Sequence, residues 1–144
     1  MNVALATIAF IKAQTAVTAL VGTHVYGATL PRTLIESGTM PTYAIVVRHA
    51  GGGRLGKGGQ LWRDRRLDID TYGATPQLAD DLYEALSDRL RLLGFAGSPR
   101  FLDAGSHTLL HWAIPENDGI NVVDPNTTWP LTFSSWQVLA SPVS

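Results

Sequence analysis

The sequence predicts an α+β domain: a small, mostly antiparallel sheet with two main helices packed on one face and a long flexible hairpin. Two observations lead to this prediction. Apolar residues recur at three- and four-residue spacing near the N-terminus and in the middle of the chain, whereas β-branched and alternating runs lie between and after these segments. The length of 144 residues suits one domain, so we assign residues 1–144 to a single domain.

Composition excludes several classes of protein. Hydrophobic residues make up 45% and charged residues 16% of the chain, which is typical of a folded soluble protein. The net charge of −1 means that the chain as a whole does not attract nucleic acid or an anionic membrane. The absence of cysteine excludes disulfides, thiolate metal sites and a cysteine nucleophile. Lys12 interrupts the apolar N-terminal run well short of the ~18 residues of a membrane span, so we expect a soluble chain without a signal peptide.

The first half of the chain is predicted to hold one helix and one hairpin. Asn2 is a suitable N-cap for the helix and Gly22 a suitable stop. The segment between the hairpin strands is so rich in glycine that we expect a flexible tip. The predicted elements are a helix at Val3–Leu20, a short strand at His24–Tyr26, hairpin strands at Thr42–His49 and Leu61–Tyr72, and a hairpin tip at Ala50–Gln60.

The second helix has the clearest signals. Thr75 is its N-cap, Pro76 occupies the first helical position, where a missing N–H costs nothing, and Gly94 ends it. Its apolar side chains form one stripe: Ala79, Leu82, Tyr83, Leu86, Leu90 and Leu93. Three more strands are predicted at Arg100–Leu102, Thr108–Ile114 and Leu131–Ala140, with a polar loop before the last.

The glycine-rich stretch GGGRLGKGG partly matches a nucleotide-binding loop. Gly51, Gly56 and Lys57 fit the first part of G-x-x-x-x-G-K-[ST], but Gly58 stands where the magnesium-binding hydroxyl is needed. A predicted strand follows, whereas the loop should open a helix whose N-terminus faces the phosphates. We therefore predict no nucleotide site and no other cofactor.

Asp68 and Asp70 raise the question of a metal-dependent enzyme. They point to the same side of a predicted strand, about 7 Å apart at the backbone, and carboxylates at such spacing can hold Mg²⁺. Alternation with Leu67 and Ile69 explains the pattern without a metal, because these two would face the core. No later strand supplies an obvious converging acid. We therefore predict no metal site here.

The histidines and serines do not form a recognisable catalytic set. His107 and His111 lie four apart on a predicted strand, which would separate them by about 13 Å, too far to share an ion. Ser37, Ser106 and Ser134 stand outside any G-x-S-x-G context. We predict no catalytic residue.

Basic residues cluster in the predicted hairpin, which holds six of the chain's eleven: Arg48, Arg54, Lys57, Arg63, Arg65 and Arg66. Three interpretations stay open, namely contact with nucleic-acid phosphates, docking on an acidic protein surface, and a solvated loop. Trp62 beside the arginines favours protein docking over phosphate binding, because tryptophan often anchors interfaces. The predicted partner contacts are Arg54, Lys57, Trp62, Arg63, Arg65, Arg66, Asp68 and Asp70.

Several short segments together resemble the tail-completion (tail terminator, or head-tail joining) proteins of long-tailed bacteriophages. Those proteins typically have an N-terminal helix ending in Leu-Val-Gly, a V-Y…L-P segment, a P-Y/F entry to a strand, and a strand ending in Tyr ahead of an Ala/Leu-rich helix. The matching positions are Leu20-Val21-Gly22, Val25-Tyr26, Leu30-Pro31, Pro41 with Tyr43, and Leu67 through Leu90, and the final FSSWQVLAS strand also fits. Thr42, which separates Pro41 from Tyr43, and the DPNTTWP approach to the last strand depart from the pattern.

The resemblance implies a non-enzymatic virion protein of the tail or neck, assembled in the host cytoplasm. Such proteins form a ring, usually a hexamer, that ends the tail tube and presents a surface to the head. The implied partners are further copies of the chain, the tail-tube protein and the head connector or stopper protein, with a lumen that DNA can traverse and no membrane. We expect the Ala50–Gln60 hairpin to become ordered on a neighbouring protein, and Asp68 and Asp70 to be available to a neighbour's arginines. Another connector or neck component, a nonspecific nucleic-acid-binding module and an enzyme are the alternatives.

Overall fold

The computed structural model describes residues 1–51, 63–95 and 100–143. Its helices are α1 (Val3–Lys12), α2 (Thr15–Val21), α3 (Arg32–Ser37) and α4 (Pro76–Leu92). Its strands are β1 (Val25–Gly27), β2 (Tyr43–His49), β3 (Arg63–Gly73), β4 (Phe101–Asp103), β5 (Thr108–Pro115), β6 (Ile120–Val123) and β7 (Pro130–Pro142). The α+β class is confirmed, whereas the expected flexible tip lies almost wholly outside the described residues.

The seven described strands form one mixed sheet in the order β1-β2-β3-β7-β5-β4. Strand β6 pairs with the first part of β7, and β5 pairs with the second part. β1 runs parallel to β2, because the chain crosses over through α3 between them, and the other pairings are antiparallel. This corrects the prediction of a small, mostly antiparallel sheet.

The predicted N-terminal helix is two helices, α1 and α2, which meet at an angle of 87°. Gln14 has an extended backbone at the break, and its side-chain amide donates to the carbonyl of Phe10 at 3.3 Å. The bend buries both Ile11 and Val17 completely, which explains why one long helix is not formed. Among the described helices, none is by itself long and apolar enough to cross a membrane, and α1 with α2 meets that criterion only as a bent pair.

Two elements were missed in the sequence because none of their side chains is fully buried. Helix α3 buries none of its six residues, and it is bounded by Pro31 and by Gly38, which has a φ of 67°. Strand β6 lies within the loop that was predicted to be irregular, and all four of its side chains are exposed. Neither element therefore has the periodic apolar pattern on which sequence prediction depends.

Helix α4 confirms the prediction made for it. The Thr75 hydroxyl accepts a hydrogen bond from the N–H of Leu78 at 3.2 Å, and Gly94 follows the helix with a φ of 76°. Gly73, at the end of β3, allows the helix to start unusually close to the strand. A Cβ at this position would lie 2.6 Å from the carbonyl carbon of Leu78 and closer still to the N of Ala79.

Each face of the sheet has its own apolar cluster. The cluster on the helical face joins buried side chains of α1, α2 and α4 to the sheet, including Ile11, Val17, Leu82, Leu86, Leu67, Ile69 and Trp136. The cluster on the other face, which we call the open face, is smaller and consists of Leu30, Ala44, Val46, Tyr72, Trp129 and Leu131 with Phe133 against it. Among the described helices, only the short α3 lies with this second cluster, through Leu34.

Candidate functional site

The open face carries a row of polar side chains from β3. Alternate residues of this strand point to it: Asp64, Arg66, Asp68, Asp70 and Tyr72. The intervening Leu67 and Ile69 are completely buried on the helical face. The predicted alternation is therefore confirmed, and the two aspartates lie on the side away from α1, α2 and α4.

Arg48 and Asp70 form the most buried ion pair of the row. The Arg48 Nη1 lies 2.5 Å from Asp70 Oδ2, and Nη2 lies 3.4 Å from Oδ1, so the contact is bidentate. Asp70 is only 7% exposed. Burial raises the pKa of the Asp70 carboxyl, and the Arg48 guanidinium opposes that rise. The carboxylate expected to meet a neighbour's arginines is thus bound within its own chain.

The other acidic residues of the row also have partners in the same chain. The Ser135 hydroxyl donates to Asp68 Oδ1 at 2.7 Å, and the Gln137 amide donates to Asp64 Oδ2 at 2.6 Å. The Arg66 Nε lies 3.4 Å from Glu116 Oε2 and 3.7 Å from Asp68 Oδ1. Arg66 nevertheless keeps 45% of its side chain exposed, so it is the charged group of this row best placed to meet another molecule.

The candidate metal and histidine sites are not assembled. In residues 1–51, 63–95 and 100–143, no group of three or more acidic or histidine side chains is placed to hold a metal ion. His107 lies in the turn before β5, with a φ of 52°, and not in a strand as expected. His111 lies on β5, and its Nε2 is 2.8 Å from the Ser141 Oγ. Burial, followed by the charge of Arg100, lowers the pKa of this imidazole.

A concave groove of about 880 Å³ lies on the open face beside the Arg48–Asp70 pair. One wall is α3 with the segment before it, and the other is β6 with the turn Asp124–Thr127. The floor is formed by Val46, Arg48, Asp70, Tyr72, Leu131 and Phe133. The volume falls within the range of about 300–1,000 Å³ that is usual for binding pockets, and the floor mixes apolar and charged groups.

Among the described residues that line the groove, every charge except that of Asp124 is paired. Arg32 pairs with Glu36 at 2.7 Å and Arg48 pairs with Asp70, whereas Asp124 has no cationic partner within the described part of the chain. Its carboxylate accepts hydrogen bonds from the Tyr72 hydroxyl at 2.8 Å and from the N–H of Asn126 at 2.9 Å.

Hydrogen bonding decides the charge of Asp124. Burial opposes ionisation, but the bonds from Asn126, Tyr72 and Thr127 outweigh it and lower the pKa of the Asp124 carboxyl. Burial and the neighbouring Asp124 raise the pKa of Tyr72. The groove therefore contains one oriented carboxylate with a net negative charge.

Sequence reasoning did not identify this site. Asp124-Pro125-Asn126 does signal a turn, because an aspartate can accept a hydrogen bond from the N–H two residues later. Nothing in the pattern shows that this turn folds over Tyr72, which is 52 residues away in the chain.

The predicted basic contacts are only partly described. Arg54, Lys57 and Trp62 lie outside the described residues, as do Gly56 and Gly58 of the partial nucleotide motif. Arg63 begins β3, but its side chain is also outside the described part. Arg65 and Arg66 point to opposite faces, since Arg65 pairs in register with the core residue Val138 and Arg66 lies beside Glu116.

Comparison with known proteins yields a likeness of fold. No protein-family model matches the chain, and no curated protein sequence matches it. A solved structure has a similar fold. It is a chain of the virion of a native gene transfer agent (GTA) particle, with a TM-score of 0.56. The similarity covers 96% of this chain and 94% of that chain, and the sequence identity is 17%, so the likeness concerns the fold alone.

Proposed function

We propose that the chain is a non-enzymatic structural protein of a phage-like virion. It forms a ring, a hexamer by analogy with the tail terminators, that ends the tail tube and joins it to the head connector. The observation that carries this proposal is the likeness to a virion chain over nearly the full length of both chains. The Leu20-Val21-Gly22, Val25-Tyr26 and Leu30-Pro31 segments support it independently, because they are short sequence features and not properties of the fold.

A ring needs heterologous interfaces, in which one surface of a subunit meets a different surface of its neighbour. Strand β6 exposes three β-branched apolar side chains, with Ile120 at 51%, Val122 at 42% and Val123 at 58% exposure. Leu102 of the edge strand β4 is likewise 51% exposed. Uncharged, apolar edge strands tend to associate with other chains, so β6 is suited to subunit contacts, whereas Asp103 places a charge on β4.

The basic residues are the proposed contacts with the tail-tube and connector proteins. Arg66 is the described residue that suits this role best, because it lies on the open face and is half-exposed. Arg54, Lys57 and Trp62 are proposed more generally as partner contacts, on the strength of the sequence alone. Asp68 stays a proposed contact, whereas reversal of charge at Asp70 would test folding and not assembly, because Arg48 would face a second cation.

Imaging and mass measurement of the purified full-length protein test the ring directly. We expect a closed ring by itself and stacking of that ring on tubes of tail-tube protein. A protein that remains monomeric at micromolar concentration with and without tubes would refute the proposal. Deletion of residues 52–60 should leave the protein folded but reduce head-tail joining, and an unchanged yield of infectious particles would show that the hairpin has no part in joining.

The clustered arginines favour a nonspecific nucleic-acid-binding module as the second candidate. Phosphate contacts release counterions, so this function predicts DNA affinity that falls steeply with salt. A monomer with that salt dependence supports this candidate. Magnesium-dependent turnover that is lost in Asp68→Ala would support an enzyme.

A further inference from the structure

The groove on the open face combines apolar side chains of its floor with solvent-exposed apolar side chains on both walls. Ile35 on the α3 wall is 40% exposed and Val122 on the opposite wall is 42% exposed. Ile120 extends the patch along β6, because it is paired in register with Phe133 of the floor. Contiguous apolar surface of this kind, rimmed by polar groups, is typical of a site for another chain.

Charge limits what the groove can accept. In the described part of the chain, two cations line the groove, Arg32 and Arg48, and they are paired with Glu36 and Asp70. The Asp124 carboxylate keeps its charge and faces a groove with no cation of its own to spare among the described residues. The complementary ligand is therefore a polypeptide segment that combines a lysine or arginine with apolar side chains and has no acidic residue.

We propose that the groove is a docking site for a second copy of this chain, whose residues 52–62 are the occupant. That segment, GGRLGKGGQLW, contains two cations, Arg54 and Lys57, and no acid. Its Leu55, Leu61 and Trp62 supply the apolar side chains. This inference rests on the proposed ring: a groove and a segment are two different surfaces, and their contact is heterologous as a ring requires.

A labelled peptide tests the chemistry of the groove. The probe is a fluorescein-labelled peptide of residues 52–62, titrated into the full-length chain that carries Arg54→Glu and Lys57→Glu, so that the chain's own segment does not compete. We expect saturable binding that Asp124→Asn weakens about tenfold, because it removes the charge but keeps the hydrogen-bonding shape. The same peptide with both cations replaced by glutamate should not bind.

Asp118→Asn is the matched control. Asp118 lies just before β6, which forms one wall of the groove, but it does not line the groove itself. Its side chain is 94% exposed and lies beside Arg91. The same change of charge at this position should leave peptide affinity unchanged. Absence of binding by the wild-type peptide, or equal loss from Asp118→Asn and Asp124→Asn, overturns the assignment of the groove.

Disulfide trapping identifies which copy provides the segment. The chain has no cysteine, so Lys57→Cys and Asn126→Cys in separate chains create one thiol each, and Asn126 lines the groove. Oxidation of the mixture should give a covalent dimer, whereas Lys57→Cys mixed with Asp118→Cys should not. An intrachain bond in the Lys57→Cys/Asn126→Cys double variant, without dimers, would show occupation by the same copy and overturn the proposal.

The outcomes separate this inference from the proposed ring. Rings that form normally while the peptide fails to bind would refute the groove's role and leave the ring intact. Peptide binding that depends on Asp124, in a protein that forms no rings, would refute the ring and leave the docking chemistry of the groove intact.

Discussion

The Arg48–Asp70 ion pair offers the sharpest test of how the open face is held together. The perturbation is Arg48→Met, which keeps much of the aliphatic volume and removes the charge. Asp70 is then left without its partner, and only 10% of its side chain is exposed to water. Breaking a buried pair from one side costs about 3–5 kcal/mol. Because 34% of the Arg48 side chain reaches solvent, we expect a loss just below this range, about 2–3 kcal/mol.

The double variant Arg48→Met/Asp70→Leu distinguishes the cost of an orphaned charge from a loss of packing. With neither charge present, we expect the free energy of unfolding to lie within about 1 kcal/mol of the wild type, since a buried pair and an apolar pair are often equivalent. The coupling between the two sites is then about 2 kcal/mol or more. Urea unfolding at pH 7, followed by circular dichroism, measures each value.

Arg32→Met is the matched control, because it breaks the Arg32–Glu36 pair on the surface of α3. The side chains of that pair are 90% and 61% exposed, so we expect a loss below about 0.5 kcal/mol. An Arg48→Met loss no larger than that of this control would show that Asp70 tolerates the absence of its partner. A double variant that loses the sum of the two single losses would show that the two sites are not coupled.

Three further predictions concern stability. Gly73→Ala forces a Cβ against the backbone of Ala79, so we expect a loss of more than about 2 kcal/mol by urea unfolding. Thr75→Ala removes the N-cap bond to Leu78 and should cost about 1 kcal/mol, or about 4 °C in Tm by calorimetry. Burial lowers the pKa of His111 below its ordinary 6.5, so the unfolded chain takes up the proton first as the pH falls. The contribution of the neutral His111 imidazole to the free energy of unfolding is complete above pH 6.5 and declines below it. His111→Gln should therefore make the free energy of unfolding less dependent on pH between about pH 5 and 6.5.

Each of these predictions has an outcome that contradicts it. A Gly73→Ala protein as stable as wild type would mean that β3 and α4 separate at little cost. Thr75→Ser should retain most of the stability, because it keeps the capping hydroxyl, and an equal loss in both Thr75 variants would point to the methyl group instead. An identical pH slope in wild type and His111→Gln would assign the acid sensitivity to other groups.

The elements that sequence analysis predicted correctly are those whose signals are local. Helix α4 follows from the capping Thr75, from Pro76 and from an apolar stripe that needs no knowledge of its neighbours. Strand β2 follows from β-branched residues between Pro41 and a glycine cluster. The inward side of β3 was likewise predictable, because Leu67 and Ile69 alternate with aspartates over a long strand.

The break between α1 and α2 was not predictable, because it depends on what the two helices cover. The residues that follow Val3 have helix propensities compatible with one continuous helix. The bend is favoured only because it lets both Ile11 and Val17 be buried against the sheet. The parallel pairing of β1 with β2 arises from the crossover through α3, whose exposed surface gives no periodic signal.

The sequence by itself determined the fold class, the α4 unit and the separation of apolar from charged side chains on β3, because these depend on spacing within a few residues. Only the tertiary structure decided the partners of those charges. The sequence left a metal ion and a neighbouring subunit as alternative partners for Asp70. The pairing of β2 with β3 instead places Arg48, 22 residues away in the chain, against its carboxylate. From the sequence, Asp124 was predictable only as a turn residue. The hydrogen bond from Tyr72 of β3 places its carboxylate in the groove, where none of the described cations pairs with it. Pairing over such separations depends on strand register, and register is set by the whole sheet.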